Sequence, residues 1–378
     1  MLINNLSFFF SHRLPIAEST LAKGFDVVVG YGELGGVDPK HFEKKGLRFI
    51  SVPMQRGGIN PLNDLKTFYY IWNFFKSEKP DIVHLVTIKP YLYGGIISRI
   101  VNVPCLVSAV SGLGSLFISN DLKSRFLRLL LYPFYKLAFN HKNQKIIVQN
   151  QDDLDTLKKW GVLNALNVKL LKGSGVELAN FKNFEEQNGI PVICFAARLL
   201  KDKGVNEFVS AAKILKQRKI NARFLLAGDL DSNNPTSLNL DNINQIKSEG
   251  CVEILGYYKD IAELYNRSHI ICLPSYREGL PKALLEAGAA SRAVVTTDVP
   301  GCRDAIIPNK TGLLVPVKNF EKLADTLQWL IEHPEERVAM GRAGRKFVEK
   351  EFSVEKIIQG HINIYDNLLS KIVLNKKS

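Results

Sequence analysis

The sequence lacks most of the features that mark secreted, membrane-spanning or metal-binding proteins. Its 378 residues hold only five cysteines, Cys105, Cys194, Cys251, Cys272 and Cys302. They are odd in number and scattered, and no two form a C-x-x-C pair, which argues for a reducing compartment and against a zinc site. Cys194 and Cys272 lie within the apolar runs VICFAA and HIICLPS, where a reduced thiol behaves as a small hydrophobe. No uninterrupted apolar stretch is long enough to span a bilayer. No basic region precedes an apolar one at the N-terminus, so no secretory signal is expected and the protein is placed in the cytoplasm. Short-period repeats and low-complexity tracts are missing, and only the tail LNKKS looks frayed.

Acidic residues are also in deficit, 37 against 50 Lys and Arg, leaving a formal charge of +13. Such an excess faces something anionic: nucleic acid, a phosphorylated substrate or an anionic membrane surface. No helix-turn-helix, RNA-recognition or zinc-finger pattern supports the first of these.

The length exceeds what one hydrophobic core usually fills, so two domains are expected. Short β-branched runs alternate with helix-length segments: FDVVVG, LRFISV, DIVHLV, CLVSAV, KIIVQN and NVKLLK, then PVICFAA, ARFLLAG, VEILG, HIICLPS and AVVTT. Apolar strands separated in this way indicate parallel sheets covered on both faces. A first strand in Met1–Asn4 is expected to be short. The polar stretch FKNFEEQNG, Phe181–Gly189, reads as a linker between the two sets. The closing segment FSVEKIIQGHINIYDNLLSKI carries Val354, Ile357, Ile358, Ile362 and Leu368 at helical spacing, an amphipathic packing helix.

The most informative segment is HIICLPSYREGLPKALLEAGAASR. A buried strand ends at Pro274, a loop follows, and Pro281 suits the first turn of a helix because its missing N–H would be unpaired there. A strand, a loop and a helix start in that order make an anion site from backbone N–H groups and the helix dipole. Gly279 permits close approach of the backbone to a ligand. A phosphate would repel Glu278, so that carboxylate is expected to take sugar hydroxyls instead. The bland alternatives are a solvated loop for Glu278 and an i,i+4 surface pair with Lys282 for Glu286. Upstream, Arg198 and Lys203 follow the strand ICFAA, five residues apart, where they can converge on a diphosphate or simply solubilise a loop.

R-x4-KG after a strand, followed by SYREGLPKALLE, resembles the donor site of retaining glycosyltransferase family 4. The segments ARLLKDKGV, FLLAGD, VEILGYYKDIAELY, LPSYREGLPKALLEA, TTDVPGCRDAI and TGLLVPV occur in family order. The resemblance implies an α/β fold of the GT-B type: two Rossmann-like domains with parallel sheets facing across a cleft, and a C-terminal helix packing back toward the N-terminal domain. It implies an acceptor-binding domain over 1–175, joined by part of 355–378, and a nucleotide-sugar-binding domain over 190–354. It further implies that Arg198 and Lys203 hold the nucleotide diphosphate, that Glu278 contacts the transferred sugar and that Glu286 holds the ribose. Gly279 and Leu280 would offer backbone N–H groups to the donor beside Pro281 at the helix start, with Tyr257 or Tyr258 near the base.

The first half, with FFFSHRLPIAESTLAKGFDVVV, TIKPYLYGGIISRI and VSAVSGLGSLFI, is similar to a narrower bacterial group, as is DSNNPTSLNL in the second. Those enzymes add N-acetylgalactosamine to a sugar already linked to polyprenyl diphosphate, in N-glycan, O-antigen or capsule assembly. Arg13 and Lys89 would then hold acceptor phosphates, and His12 would touch donor or acceptor. His84, inside a strand, reads as a satisfied core histidine. Where many members carry a histidine, this chain has Ser111, which offers a hydroxyl but no base at neutral pH; Gly112 and Gly114 still permit close approach. The stretch Lys123–Phe139, KSRFLRLLLYPFYKLAF, reads either as an interfacial element on an anionic membrane or as a buried helix pair bent at Pro133.

The expected donor is a UDP-sugar and no metal is expected: the pair Asp229 and Asp231 resembles a D-x-D metal motif but reads as loop acids. The alternatives are a UDP-sugar 2-epimerase of the same fold, a transferase using UDP-N-acetylglucosamine or UDP-galactose with another acceptor, and a non-catalytic sugar-nucleotide binding module.

Overall fold

The computed structural model describes residues 1–55, 60–113, 117, 121–182, 185–231, 234 and 236–375. Gly114, three residues of DSNNPTSLNL (Ser232, Asn233 and Pro235), and Asn183 and Phe184 of the expected linker lie outside them. The chain divides into two compact units, the first made of Met1–Ser174 with Glu355–Ser378, the second of Gly175–Val354.

In the first unit the strands are β1 (Leu2–Asn5), β2 (Val28–Glu33), β3 (Arg48–Ser51), β4 (Ile82–Val86), β5 (Cys105–Val110), β6 (Gln144–Val148) and β7 (Val168–Leu170). Its helices are α1 (Leu6–His12), α2 (Leu14–Ala22), α3 (Lys40–Glu43), α4 (Pro61–Glu78), α5 (Gly95–Ile100), α6 (Leu122–Ala138) and α7 (Gln151–Lys159). The second unit contains β8 (Val192–Ala196), β9 (Arg223–Ala227), β10 (Glu253–Gly256), β11 (Ile270–Leu273), β12 (Ala293–Thr297) and β13 (Gly312–Val315). With them come α8 (Val205–Gln217), α9 (Leu240–Glu249), α10 (Ile261–Asn266), α11 (Lys282–Ala289), α12 (Phe320–Glu332) and α13 (Pro334–Glu351), and α14 (Val354–Asn375) closes the chain.

Every strand pairing is parallel, as the strand pattern implied. The orders are β3-β2-β1-β4-β5-β6-β7 and β10-β9-β8-β11-β12-β13. The physical reason is burial on both faces: all residues of β5, β8, β11 and β12 are buried, so no alternation of apolar and polar residues is left. In β5, Leu106 packs into one core cluster and Val107 into the other, the two-residue period of a pleated strand covered on both sides. The strand β13 was not expected. Its four residues are buried only at the two ends, it opens with glycine and it pairs only with β12 within the sheet, so its pattern is weak.

One further departure has a clear cause. The stretch read as a linker belongs to the second unit: Phe181 lies in its core and the Glu186 carboxylate accepts from the buried Arg337 at 2.8 Å. Polar composition concealed one anchoring aromatic and one buried ion pair. The closing helix contributes Ile362, Tyr365 and Leu368 to the core of the first unit, among Ile3, Leu6, Val86 and Val107.

In each sheet the strand order reverses beside the first strand of that unit, between β1 and β4 and between β8 and β11. At such a point neighbouring loops leave in opposite directions and open a crevice at the carboxyl ends of the strands. In the second unit the two loops are brought into backbone contact. Gly204, at φ +77°, sits where an added Cβ would lie 2.1 Å from the Pro274 carbonyl oxygen. Gly204→Ala is therefore expected to lower the unfolding midpoint of the second unit, with a cost of about 1–3 kcal/mol or more. A calorimetric midpoint equal to wild type would show that the contact is not needed.

The interior of the first unit carries titratable groups. His84 Nδ1 lies 2.7 Å from the Tyr365 hydroxyl, and Nε2 of both His84 and His361 has no partner. His84 is thus only half satisfied, not the fully paired core histidine expected. Burial, and then the Arg13 charge, lowers the pKa of His361 to about 3; burial, and then His361, holds His84 well below its usual range. An unfolded histidine takes a proton near pH 6.5 while this folded pair stays neutral, so stability is complete above about 6.5 and is lost as pH falls toward 3. Each histidine withdraws up to about 1.4 kcal/mol per pH unit in that range. Unfolding midpoints are expected to drop on acidification, and His361→Leu to flatten the dependence. Equal slopes for the two proteins would discard this account.

Candidate functional site

The site in the second unit is built from the two loops at its strand reversal. After β8 the chain passes Arg198, makes a short 3₁₀ turn over Lys201–Lys203 and enters α8 through Gly204. After β11 it runs from Ser275 to Leu280 before α11 begins. The second loop is fastened onto the first. Tyr276 N donates to the Asp202 carbonyl at 2.8 Å, Ser275 Oγ lies 3.0 Å from the same oxygen, and the Tyr276 hydroxyl donates to Glu207 at 2.7 Å. On its far side Glu278 N donates to the Pro300 carbonyl at 3.2 Å. There Gly301, at φ +80°, allows a packing in which a Cβ would lie 2.4 Å from the Glu278 carbonyl oxygen.

These fastenings bring Lys203 and Glu278 together. The ammonium donates to Glu278 Oε1, an oxygen that Ser275 Oγ also approaches at 2.7 Å. Their side chains are 19% and 12% exposed, so the pair is sheltered but still reachable. Arg198, across the same loop, donates to Asp231 Oδ2 at 2.5 Å and is 43% exposed. Asp231, read from sequence as a loop acid, instead orients this guanidinium.

The helix start is close to expectation with one difference. Pro281 has extended backbone angles and is the N-cap residue of α11, which begins at Lys282, and no side chain caps its first turn. Leu280 is buried and anchors the loop. Glu286 lies one turn along, its side chain 15% exposed, paired with Lys282 at 3.3 Å, and burial raises its pKa against the opposing effect of Lys282. The i,i+4 pair exists, yet the carboxylate is sheltered rather than on the open surface. Tyr257, after β10, is 73% exposed, whereas the Tyr258 hydroxyl donates to Glu263 and accepts from Arg267 at 3.4 Å. Sequence reasoning missed Ser275, Tyr276 and Gly301, and gave Gly204 no role beyond its place in R-x4-KG. The serine and tyrosine stood in the segment already singled out, but their partners are 69–73 residues distant in the chain.

In the first unit the expected acceptor residues follow β1, β4 and β5, three strands adjacent in the sheet. Arg13, expected to hold an acceptor phosphate, is 1% exposed. It donates to the His12 carbonyl at 3.0 Å and to Ser111 Oγ at 3.3 Å, tying the loop after α1 to the one after β5. Burial lowers its pKa to about 10, which leaves it charged at neutral pH. His12 stacks on Phe8 with ring centroids 4.1 Å apart, and Gly112 adopts φ +121°. Lys89 donates to Asp64 at 2.9 Å, so its charge is balanced within the unit.

Comparison with known proteins agrees along both halves. A "Glycosyl transferase 4-like" family model matches residues 1–150, and a "Glycosyl transferases group 1" model matches residues 177–347. The chain is 29% identical over 342 residues to an N,N'-diacetylbacillosaminyl-diphospho-undecaprenol alpha-1,3-N-acetylgalactosaminyltransferase of Campylobacter jejuni, covering 86% of this chain and 88% of the relative. It is 27% identical over 332 residues to a capsular polysaccharide biosynthesis glycosyltransferase of Staphylococcus aureus, covering 85% of each. Among solved structures, a glycosyltransferase from Rickettsia africae superposes with a TM-score of 0.76 at 18% identity over 97% of this chain and 98% of the other. An Anabaena protein, HepE, solved with UDP and glucose, gives 0.76 at 16% identity over 97% of this chain and 98% of its own. By the families matched along both halves and by its fold, the chain belongs to the glycosyltransferases of the GT-B type.

Proposed function

We propose that the protein moves N-acetylgalactosamine from its UDP-linked form to a sugar carried on polyprenyl diphosphate, with retention of the α configuration, in bacterial glycan, O-antigen or capsule assembly. The observation that carries this reading is the meeting of Lys203 and Glu278 beside Arg198 and the uncapped start of α11. Two cations and a helix start suit a diphosphate, and an adjacent carboxylate suits a hexose. The relatives in C. jejuni and S. aureus, named for such transfer and for capsule synthesis, support the choice of acceptor and sugar.

In this reading the acceptor hydroxyl attacks the anomeric carbon on the face the nucleotide leaves. A carbon–oxygen bond to the acceptor forms as the bond to phosphate breaks. The electron pair goes to the leaving phosphate oxygen, which also takes the acceptor's proton. Arg198, Lys203 and the start of α11 stabilise the departing charge. Glu278 and Glu286 position the hexose and the ribose, and Tyr257 or Tyr258 lies beside the base. The cations do the work a divalent metal does elsewhere, and Asp231 serves Arg198.

A mass-resolved panel of UDP-sugars with polyprenyl-diphosphate-linked acceptors tests the assignment. Arg198→Ala is expected to lower kcat by about 10²–10³-fold at saturating donor, and EDTA to leave turnover intact. Undiminished turnover of the variant, or transfer abolished by EDTA and restored by a divalent cation, contradicts the proposed mechanism.

The same reading places the protein peripherally on the inner face of the cytoplasmic membrane, through α6. Among the described residues no helix is long and apolar enough to cross a membrane. Yet only Tyr135 and Ala138 of α6 are buried, while Leu122, Phe126, Leu129, Leu130, Phe134 and Leu137 are between 44% and 82% exposed. With Lys123, Arg125, Arg128 and Lys136 on the same helix, that arrangement suits an anionic interface better than a buried helix pair. The triple variant Phe126→Ser, Leu129→Ser, Leu130→Ser is expected to stay in the supernatant when sedimented with phosphatidylglycerol vesicles that carry the wild type down. Equal co-sedimentation removes α6 from the membrane contact.

A further inference from the structure

Three cations of the second unit each meet a carboxylate of the chain. Lys203 donates to Glu278, Arg198 donates to Asp231 at 2.5 Å, and Lys282 lies 3.3 Å from Glu286. A diphosphate that reaches Arg198 and Lys203 therefore meets charge already matched, and the two pairs respond to it differently. The Arg198 guanidinium carries five N–H donors in a rigid fork, so it can hold Asp231 and a phosphate oxygen together. Lys203 offers one compact charge. A phosphate beside its ammonium also stands beside Glu278, and two anions at contact distance repel.

Glu278 is placed so that it can give Lys203 up. Its backbone is fixed, with its N–H on the Pro300 carbonyl at 3.2 Å and Gly301 packed against its own carbonyl. Among the described residues its side chain is held through Oε1 alone, by Lys203 and by the Ser275 hydroxyl at 2.7 Å. Both bonds can be replaced. Ser275 Oγ has a second acceptor, the Asp202 carbonyl at 3.0 Å, so its one proton keeps a partner when Glu278 leaves. The hydroxyls of a hexose can donate to the carboxylate in place of the ammonium. The Glu278 side chain is 12% exposed, within a ligand's reach.

We propose that Glu278 exchanges partners: it neutralises Lys203 until a hexose draws it away, and the released ammonium then takes the diphosphate. This rests on the reading that the second unit holds a sugar nucleotide, and it makes recognition of the two halves of that donor mutually dependent through one side chain. Such coupling is reciprocal, so the hexose strengthens the hold on the diphosphate as much as the diphosphate strengthens the hold on the hexose. A nucleotide that has lost its sugar must compete with Glu278 for Lys203. Glu278 thereby favours the intact donor over the spent nucleotide and speeds the departure of the latter.

UDP and, in parallel, inorganic diphosphate are titrated calorimetrically into the full chain, alone and with saturating N-acetylgalactosamine, N-acetylglucosamine or galactose. In the wild type the sugar is expected to tighten the anion about fivefold or more. Glu278→Gln keeps the side chain's size and removes its charge. It is expected to bind the anion about tenfold tighter than wild type without sugar, the lower end of what one neighbouring charge does, and to ignore the sugar. Asp231→Asn removes a charge of the same sign that no sugar draws off; it is expected to tighten the anion and keep the wild-type response to sugar. The proposal is overturned if no sugar changes the wild type's affinity for either anion, if Glu278→Gln binds both no tighter than wild type, or if its response to sugar survives. Coupling seen with diphosphate but not UDP, or with galactose but not N-acetylgalactosamine, supports the exchange and removes the proposed donor. Transfer of N-acetylgalactosamine by a protein that shows no coupling does the reverse.

Discussion

The loop after β11 lies directly on the loop after β8, and the second unit is organised around that approach. Both loops leave adjacent strands at the point where the sheet order reverses, so topology places them side by side. Contact at backbone distance needs more: glycine at 204 and 301, where any Cβ would strike a carbonyl, and donors from Tyr276 and Ser275 onto Asp202. Only with the loops in this register do Lys203 and Glu278, 75 residues apart in the chain, share a hydrogen bond. An ion pair between flexible, exposed side chains contributes little. Here both are held by short, packed segments, so opposite charges are fixed a few ångströms apart with little entropy left to lose. That is what a site needs if it is to take an anion on one side and a polyol on the other.

The first unit solves a related problem with different chemistry. Its strand reversal brings together residues after β1, β4 and β5, but the cations there are already engaged. Arg13 is buried and spans two loops, and Lys89 is neutralised by Asp64. The unit presents fixed hydrogen-bonding groups, and on α6 an apolar surface flanked by basic side chains.

Much of the architecture was legible in the sequence because burial on both faces of a parallel sheet leaves a strong local signal. Runs such as CLVSAV and VICFAA have no polar face to confuse the reading. What escaped was set by distant partners. Whether Arg198 is free depends on Asp231, 33 residues on; whether Lys89 is free depends on Asp64, 25 residues back; whether Arg13 is exposed depends on Ser111, 98 residues on. No local pattern carries these pairings, so the phosphate contacts that the resemblance implied for all three were drawn without them. The strand, loop and helix start around Glu278 were legible for the opposite reason, since they are contiguous. The polar stretch before Pro191 misled because one phenylalanine and one glutamate decide its place, against an otherwise loop-like composition.

The contribution of α14 to the first unit sets the order in which the chain can mature. Ile362, Tyr365 and Leu368 complete a core begun by Ile3 and Leu6, while every strand of the second unit lies between them in the chain. During synthesis the second unit is finished on the ribosome before the first has its last wall, reversing the usual N-terminal-first sequence. Until α14 emerges, the apolar face around β1 and β5 stays open, and chains interrupted late in translation present that unfinished surface to chaperones and proteases.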